Sequence, residues 1–124
     1  MQEKRKILIV DDKPEIRNLL NMFLSRDYNI TTAENGMQAF IQMRNEGAPN
    51  CIISDIQMPD LDGVQFLEML KSSGVYKDIP VIILSSLSNS EDRIKLLDMG
   101  ATDYLTKPFN PQELKIKIDK ILQS

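Results

Sequence analysis

Three short apolar runs, Ile7–Val10, Cys51–Ile53 and Val81–Leu84, constrain this chain more than anything else in it. They are rich in β-branched residues, and none alternates with polar ones. A strand with one wet face alternates; a strand covered on both faces reads as an unbroken apolar run, the pattern of a parallel sheet between two helical layers. Tyr28–Ala33 and Thr102–Leu105 are weaker strand candidates.

Between the runs the apolar spacing becomes helical. Ile16, Leu19, Leu20, Phe23 and Leu24 fall at i, i+3, i+4, i+7 and i+8, and Leu114, Ile118, Ile121 and Leu122 nearly repeat that pattern. Val64, Leu67 and Leu70 make a shorter stripe, as do Ile94 and Leu97, while the segment from Gly36 to Glu46 is less cleanly patterned. Pro14 and Pro111 suit first helical positions. Asp62 with Gln65, Ser88 with Glu91, and Asn110 with Glu113 resemble caps answered three residues on. Gly47 and Gly100 are stop signals. The order is β-α repeated five times, which implies an α/β fold with a mostly parallel sheet and right-handed crossovers. The 124 residues are expected to form a single domain, with no second domain after the fifth helix.

Composition narrows the chemistry. Fifteen basic against eighteen acidic residues leave a net charge of −3, which disfavours direct nucleic-acid binding and an anionic membrane surface. No apolar stretch approaches the ~18 residues of a membrane span, and the N-terminal apolar run is too short for a signal peptide, so a cytoplasmic protein is expected. The one cysteine can form no internal disulfide. With no histidine in the chain, Ser-His-Asp and Cys-His hydrolases and imidazole-liganded zinc are excluded together.

Ligands of open α/β sheets bind beyond the carboxyl ends of the strands. There the sequence offers Asp11 and Asp12, then Asp55, then Ser85 and Ser86, then Thr106 and Lys107, with only Glu34 and Asn35 after the weaker second strand. Carboxylates crowded on one rim repel, and a hard divalent cation resolves the conflict. An all-oxygen donor set favours magnesium, manganese or calcium over zinc. Lys107 adds a positive charge suited to an anion, and a cation with a lysine around a central carboxylate is equipment for phosphoryl transfer. Taken singly, each residue has an ordinary role: Asp12 as a helix cap, Lys107 as a solvated loop lysine, Ser85 as a turn hydroxyl. Composition and spacing alone leave both readings open. Two other motifs fail. Aligning Asp60-Leu61-Asp62-Gly63 with a calcium loop puts methionine at its first and twelfth ligand positions, and Asp11-Asp12-Lys13-Pro14 lacks the glycines of a phosphate loop.

Four blocks in order carry a more specific signal: Ile7-Leu8-Ile9-Val10-Asp11-Asp12; Asp55-Ile56-Gln57-Met58-Pro59-Asp60-Leu61-Asp62-Gly63; Pro80-Val81-Ile82-Ile83-Leu84-Ser85; and Gly100-Ala101-Thr102-Asp103-Tyr104-Leu105-Thr106-Lys107-Pro108-Phe109. Together they resemble the receiver domain of two-component response regulators, of the chemotaxis-regulator type, along nearly the whole chain. The resemblance implies a doubly wound, flavodoxin-like sheet of order 2-1-3-4-5 flanked by five helices. It implies Asp55 as phosphoacceptor and magnesium as cofactor, held by Asp12, by Asp11 largely through water, by Asp55 and by the backbone carbonyl of Gln57. Lys107 matches the lysine that contacts the phosphoryl group, before a cis bond to Pro108. Ser85 matches the switch hydroxyl and Tyr104 the switch aromatic that turns inward behind it. Ser85 stands where threonine is common and Ser86 where alanine is frequent; Gln57 and Leu87 lie near positions that tune phosphoryl lifetime.

The implied function is a phosphorylation switch rather than a conventional enzyme. The phosphodonor would be a phosphohistidine on a sensor histidine kinase or histidine phosphotransfer protein, and the output a downstream protein or domain that reads the face made by the fourth helix, last strand and fifth helix. Ile116 on the fifth helix would also admit a homodimer. Two rivals are less well matched. An unphosphorylated adaptor would not need the full set of Asp11, Asp12, Asp55, Ser85 and Lys107. A haloacid-dehalogenase-like phosphatase needs Asp-x-Asp after the first strand, where this chain has Asp11-Asp12-Lys13.

Overall fold

The computed structural model of the chain describes residues 4–56, 62–86 and 89–123. Five strands and five helices alternate: β1 (Lys6–Val10), α1 (Pro14–Leu24), β2 (Asn29–Ala33), α2 (Gly36–Glu46), β3 (Cys51–Asp55), α3 (Gly63–Ser72), β4 (Val81–Ser85), α4 (Ser90–Asp98), β5 (Asp103–Thr106) and α5 (Pro111–Leu122). All pairings are parallel and the strand order is β2-β1-β3-β4-β5. The expected doubly wound sheet is therefore the one observed.

Side-chain alternation divides the core into two layers. Ile7, Ile9, Ile53, Ile82, Leu84 and Leu105 pack with Leu20 and Leu24 of α1 and Leu114 and Ile118 of α5. Leu8, Val10, Ile52, Ile83 and Tyr104 pack on the other face with Met43 of α2, Phe66, Leu67 and Leu70 of α3, and Leu96 of α4. Both faces of β1, β3 and β4 are covered, which is why these three read as unbroken apolar runs. β2 is an edge strand whose first four residues alternate exposed and half-buried before the buried Ala33, hence its weaker signal. Among the described residues no helix is long and apolar enough to cross a membrane.

Local signals largely hold, with four corrections. Gly47 and Gly100 take positive φ where they end helices, and Asp62 and Gln65 form a reciprocal capping box. The α4 cap is Asn89, which accepts from the Glu91 amide at 2.8 Å; the Ser88 expected there lies outside the described residues. Asn110 caps α5 by accepting from Gln112 rather than pairing with Glu113, because Pro111 has no N–H and the Gln112 amide is the first that the helix offers. Ile94 and Leu97 were expected to face the core, yet they are 61 % and 38 % exposed. The helix is anchored by Leu96, which lies roughly 200° around the axis from Ile94, so the apolar stripe is turned outward. Leu19 of α1 is likewise exposed, because Leu20 and Leu24 supply that helix's buried contacts.

A polar cluster ties the start of β2 to α5. The Tyr28 hydroxyl donates to Asp119 Oδ1, and Lys115 Nζ lies 2.8 Å from Asp119 Oδ2 and 3.5 Å from Asp27 Oδ2. Burial, then the Asp119 hydrogen bond and the charges of Asp119 and Asp27, push the Tyr28 phenol well above its usual range. Burial pushes Asp119 upward, but the bonds from Lys115 and Tyr28 outweigh it and hold this carboxyl below its usual range. Tyr28 therefore contributes fully below the unfolded-state tyrosine pKa of about 10, and its contribution is lost as pH rises beyond that. Asp119 contributes fully above about pH 4, and its contribution is lost as pH falls below it. Urea unfolding against pH is expected to show stability declining above about pH 10, less steeply in Tyr28→Phe than in wild type. Equal slopes would show that Tyr28 titrates alike in both states.

Candidate functional site

The site is built from residues at the carboxyl ends of adjacent strands. β1 delivers Asp11 and Asp12 one and two residues beyond Val10, and β3 ends in Asp55 itself. β1 and β3 are hydrogen-bonded neighbours, so the three carboxylates converge: one oxygen from each lies within 4.8 Å of the others. Asp11 and Asp55 are buried, whereas Asp12 is exposed. Asp12 does not cap α1; Lys13 occupies that position without a side-chain bond, and Pro14 begins the helix.

Lys107 follows β5 and reaches back across the rim. Its ammonium lies 3.1 Å from Asp11 Oδ2 and 3.5 Å from Asp55 Oδ2, with its side chain only 13 % exposed. Its Asp11 contact is a charge-assisted hydrogen bond, and the Lys107 amide donates to the Ser85 carbonyl at 2.7 Å. The Lys107–Pro108 peptide bond is cis, as the family resemblance implies. The solvated-loop reading of Lys107 is thus replaced by a mostly covered cation facing two carboxylates.

The carboxylates are further fixed by the main chain. The Lys13 amide donates to Asp11 Oδ1 at 2.9 Å, and the Ile56 amide donates to Asp55 Oδ1 at 2.7 Å. The Ser54 hydroxyl donates to the Asp55 carbonyl at 2.9 Å. α3 is pressed against this strand end, where the Gly63 amide donates to the Ile56 carbonyl at 2.8 Å. A Cβ at Gly63 would sit 2.3 Å from the Asp55 carbonyl oxygen. Two supporting residues escaped sequence reasoning. Gly63 stood there only as the end of the second block, and Arg17, which donates to the Asp11 carbonyl at 2.8 Å, belongs to no motif read from the sequence.

Ser85 and Tyr104 occupy the sheet's other parity. Ser85 follows Val81 and Ile83, which face the α3 and α4 layer, and Tyr104 joins that same layer. Ser85 is fully buried at the end of β4, paired in register with Thr106. Tyr104 pairs with Ile83 and is already buried, at 8 % exposed. Gln57, expected to lend a backbone carbonyl, lies outside the described residues, as do Leu87 and the Met58–Leu61 stretch of the second block.

Three carboxylates against one ammonium leave a surplus of negative charge, and the donors are all oxygen. That set fits a hard divalent cation such as magnesium and suits neither zinc nor copper.

A family model described as the response regulator receiver domain matches residues 7–119. The chain is 40% identical over 122 residues to "Probable transcriptional regulator ycf27" of Porphyra purpurea, covering 98% of this chain and 49% of that protein. It is 37% identical over 123 residues to "Histidine kinase P4" of Formosa agariphila, covering 99% of this chain and 9% of that protein. The solved receiver domain of Francisella response regulator 1452 superposes with a TM-score of 0.89 at 34% identity, over 97% of this chain and 98% of that one. The chain spans about half the length of the first of these relatives, and a small part of the second. Since the first is named a transcriptional regulator, the expectation that nucleic acid is no direct partner draws no support from the relatives. With a family model covering most of its length and the fold of a solved receiver domain at 34% identity, the chain belongs to the response regulator receiver domain family.

Proposed function

We propose that residues 1–124 form one receiver domain that accepts a phosphoryl group on Asp55 and changes its partner binding in response. The observation that carries this reading is the convergence of Asp11, Asp12 and Asp55 with the Lys107 ammonium in contact with two of them. Asp12, Asp55 and the Gln57 carbonyl would hold magnesium, with Asp11 bound through water. When bound, that ion supplies charge neutralisation that lets a phosphoryl dianion approach three carboxylates.

An Asp55 carboxylate oxygen attacks phosphorus in line. The phosphorus–nitrogen bond to the donor histidine breaks, and the imidazole keeps the electron pair and takes up a proton. Lys107, already 3.5 Å from Asp55 Oδ2, stabilises charge on the equatorial oxygens. The new aspartyl phosphate carries roughly −2 charge and recruits Lys107 and the Ser85 hydroxyl. Ser85 and Tyr104 share one face of the sheet, so a shift at Ser85 is felt by the aromatic ring beside α4. α4 presents Ile94 and Leu97, and α5 presents Ile116, as apolar groups for a partner of the α4-β5-α5 face. Phosphorylation acts on that partner by shifting a population between two states. A cytoplasmic histidine kinase or phosphotransfer protein is the donor in this reading, and the protein otherwise turns over no substrate.

Acetyl phosphate with magnesium is expected to add one phosphoryl group to the intact protein, seen by mass spectrometry; no gain would overturn the reading. The division of labour at the site is tested by Lys107→Ala. Its magnesium affinity, by calorimetry, is expected to match or exceed wild type, because a competing cation has gone. Its phosphorylation is expected to slow by roughly 10²-fold, the effect of removing one donor to developing negative charge. Loss of magnesium affinity with normal phosphorylation would assign the lysine to the wrong partner.

A further inference from the structure

We propose that Arg17 is a positioning residue for the cation site, fixing the peptide that joins Asp11 to Asp12. This rests on the magnesium site proposed above. Arg17 lies in the first turn of α1 with its side chain 16 % exposed. One guanidinium nitrogen, Nη1, donates to the Asp11 carbonyl at 2.8 Å, and the other, Nη2, lies 4.0 Å from Glu34 Oε1, just past β2. Glu34 is well exposed, so that ion pair contributes little. The carbonyl bond is the substantive one.

The Asp11 amide donates to the Ala33 carbonyl at 3.1 Å, so the backbone is held on the β1 side by the sheet. On the other side the Asp11 carbonyl and the Asp12 amide belong to one planar unit. A guanidinium on that carbonyl fixes the plane, and with it the direction in which the exposed Asp12 side chain leaves the backbone. The same unit precedes the Lys13 amide, which holds Asp11 Oδ1 at 2.9 Å. One side chain thus orients both members of the acidic pair without touching either carboxylate.

Arg17 also places a positive charge behind three carboxylates, and charge and positioning have opposite consequences. Removing a cation tightens binding of another cation, whereas removing a support loosens it. Magnesium is titrated calorimetrically into metal-free wild type, Arg17→Ala, Arg17→Gln, Arg17→Lys and Glu34→Gln. Arg17→Ala is expected to bind about tenfold more weakly, the scale of a lost supporting contact behind a ligand. Arg17→Lys, which keeps the charge and one donor, restores most of the affinity; Arg17→Gln, shorter and neutral, falls between; Glu34→Gln matches wild type. In metal-free protein the Lys13 amide is expected to exchange hydrogen faster in Arg17→Ala.

Magnesium binding by Arg17→Ala as tight as wild type or tighter, with unchanged Lys13 exchange, would overturn the proposal and leave Arg17 a counter-charge. Should Arg17→Ala fail to fold, Arg17→Gln decides on the same two readouts. A wild-type protein that binds no magnesium overturns the cation site itself, and Lys13 exchange then decides the positioning role alone.

Discussion

Asp55→Asn is expected to abolish phosphoryl uptake from acetyl phosphate and magnesium, with the mass gain falling below detection and the fold intact. The substitution keeps the shape of the side chain and removes its charge. A neutral amide oxygen is a poor nucleophile toward phosphorus, and the Asp11 and Asp12 carboxylates leave the end of β1 rather than the Asp55 position on β3, so they do not replace it. The Ile56 amide still finds an acceptor at the 2.7 Å position, because the side-chain carbonyl of asparagine can take that bond. Lys107 loses one of its two carboxylates and keeps Asp11 at 3.1 Å. Without metal, one of three crowded negative charges has gone, so the urea midpoint should equal or exceed that of wild type. A mass gain surviving in this variant would move the acceptor to another residue; a large drop in midpoint would mean that Asp55 is chiefly structural.

The sheet was legible because its faces are physically simple. β1, β3 and β4 are covered twice, so Ile7–Val10, Cys51–Ile53 and Val81–Leu84 announce themselves, and alternation beyond their ends carries Asp11 and Asp55 to one rim. The misread helix was the one least determined by its own sequence. α4 is held by Leu96 alone among its buried residues, and its more periodic pair, Ile94 and Leu97, faces outward where a partner surface is proposed. Supporting residues were illegible for a different reason. Arg17 acts on a strand-end carbonyl six positions back, a contact that no capping or periodicity motif announces, unlike the Asp62–Gln65 box. Gly63 acts through the space it leaves empty.

That space is the basis of the largest expected loss of stability at the site, in Gly63→Ala. An added Cβ would lie 2.3 Å from the Asp55 carbonyl oxygen and 2.5 Å from Ile56 Cα. Both obstacles are backbone, so no rotamer change relieves them. The first turn of α3 cannot retreat freely, because the Gly63 amide donates to the Ile56 carbonyl at 2.8 Å and the Asp62–Gln65 capping box fixes the helix start. Overpacking of this kind costs about 1–3 kcal/mol and sometimes more. Alanine recovers up to about 1 kcal/mol through its better helix propensity and its smaller unfolded-state freedom. With contacts this short the strain is the larger effect, and a net loss of about 2 kcal/mol in urea unfolding is expected. Relief of the clash also drags the Asp55 carbonyl and the Ile56 amide, and that amide orients the Asp55 carboxylate. The folded fraction of Gly63→Ala should therefore accept phosphoryl groups more slowly than wild type at saturating magnesium. An unchanged unfolding midpoint would show that α3 can shift away without cost, and the close seating of this helix on β3 would then have no part in holding Asp55.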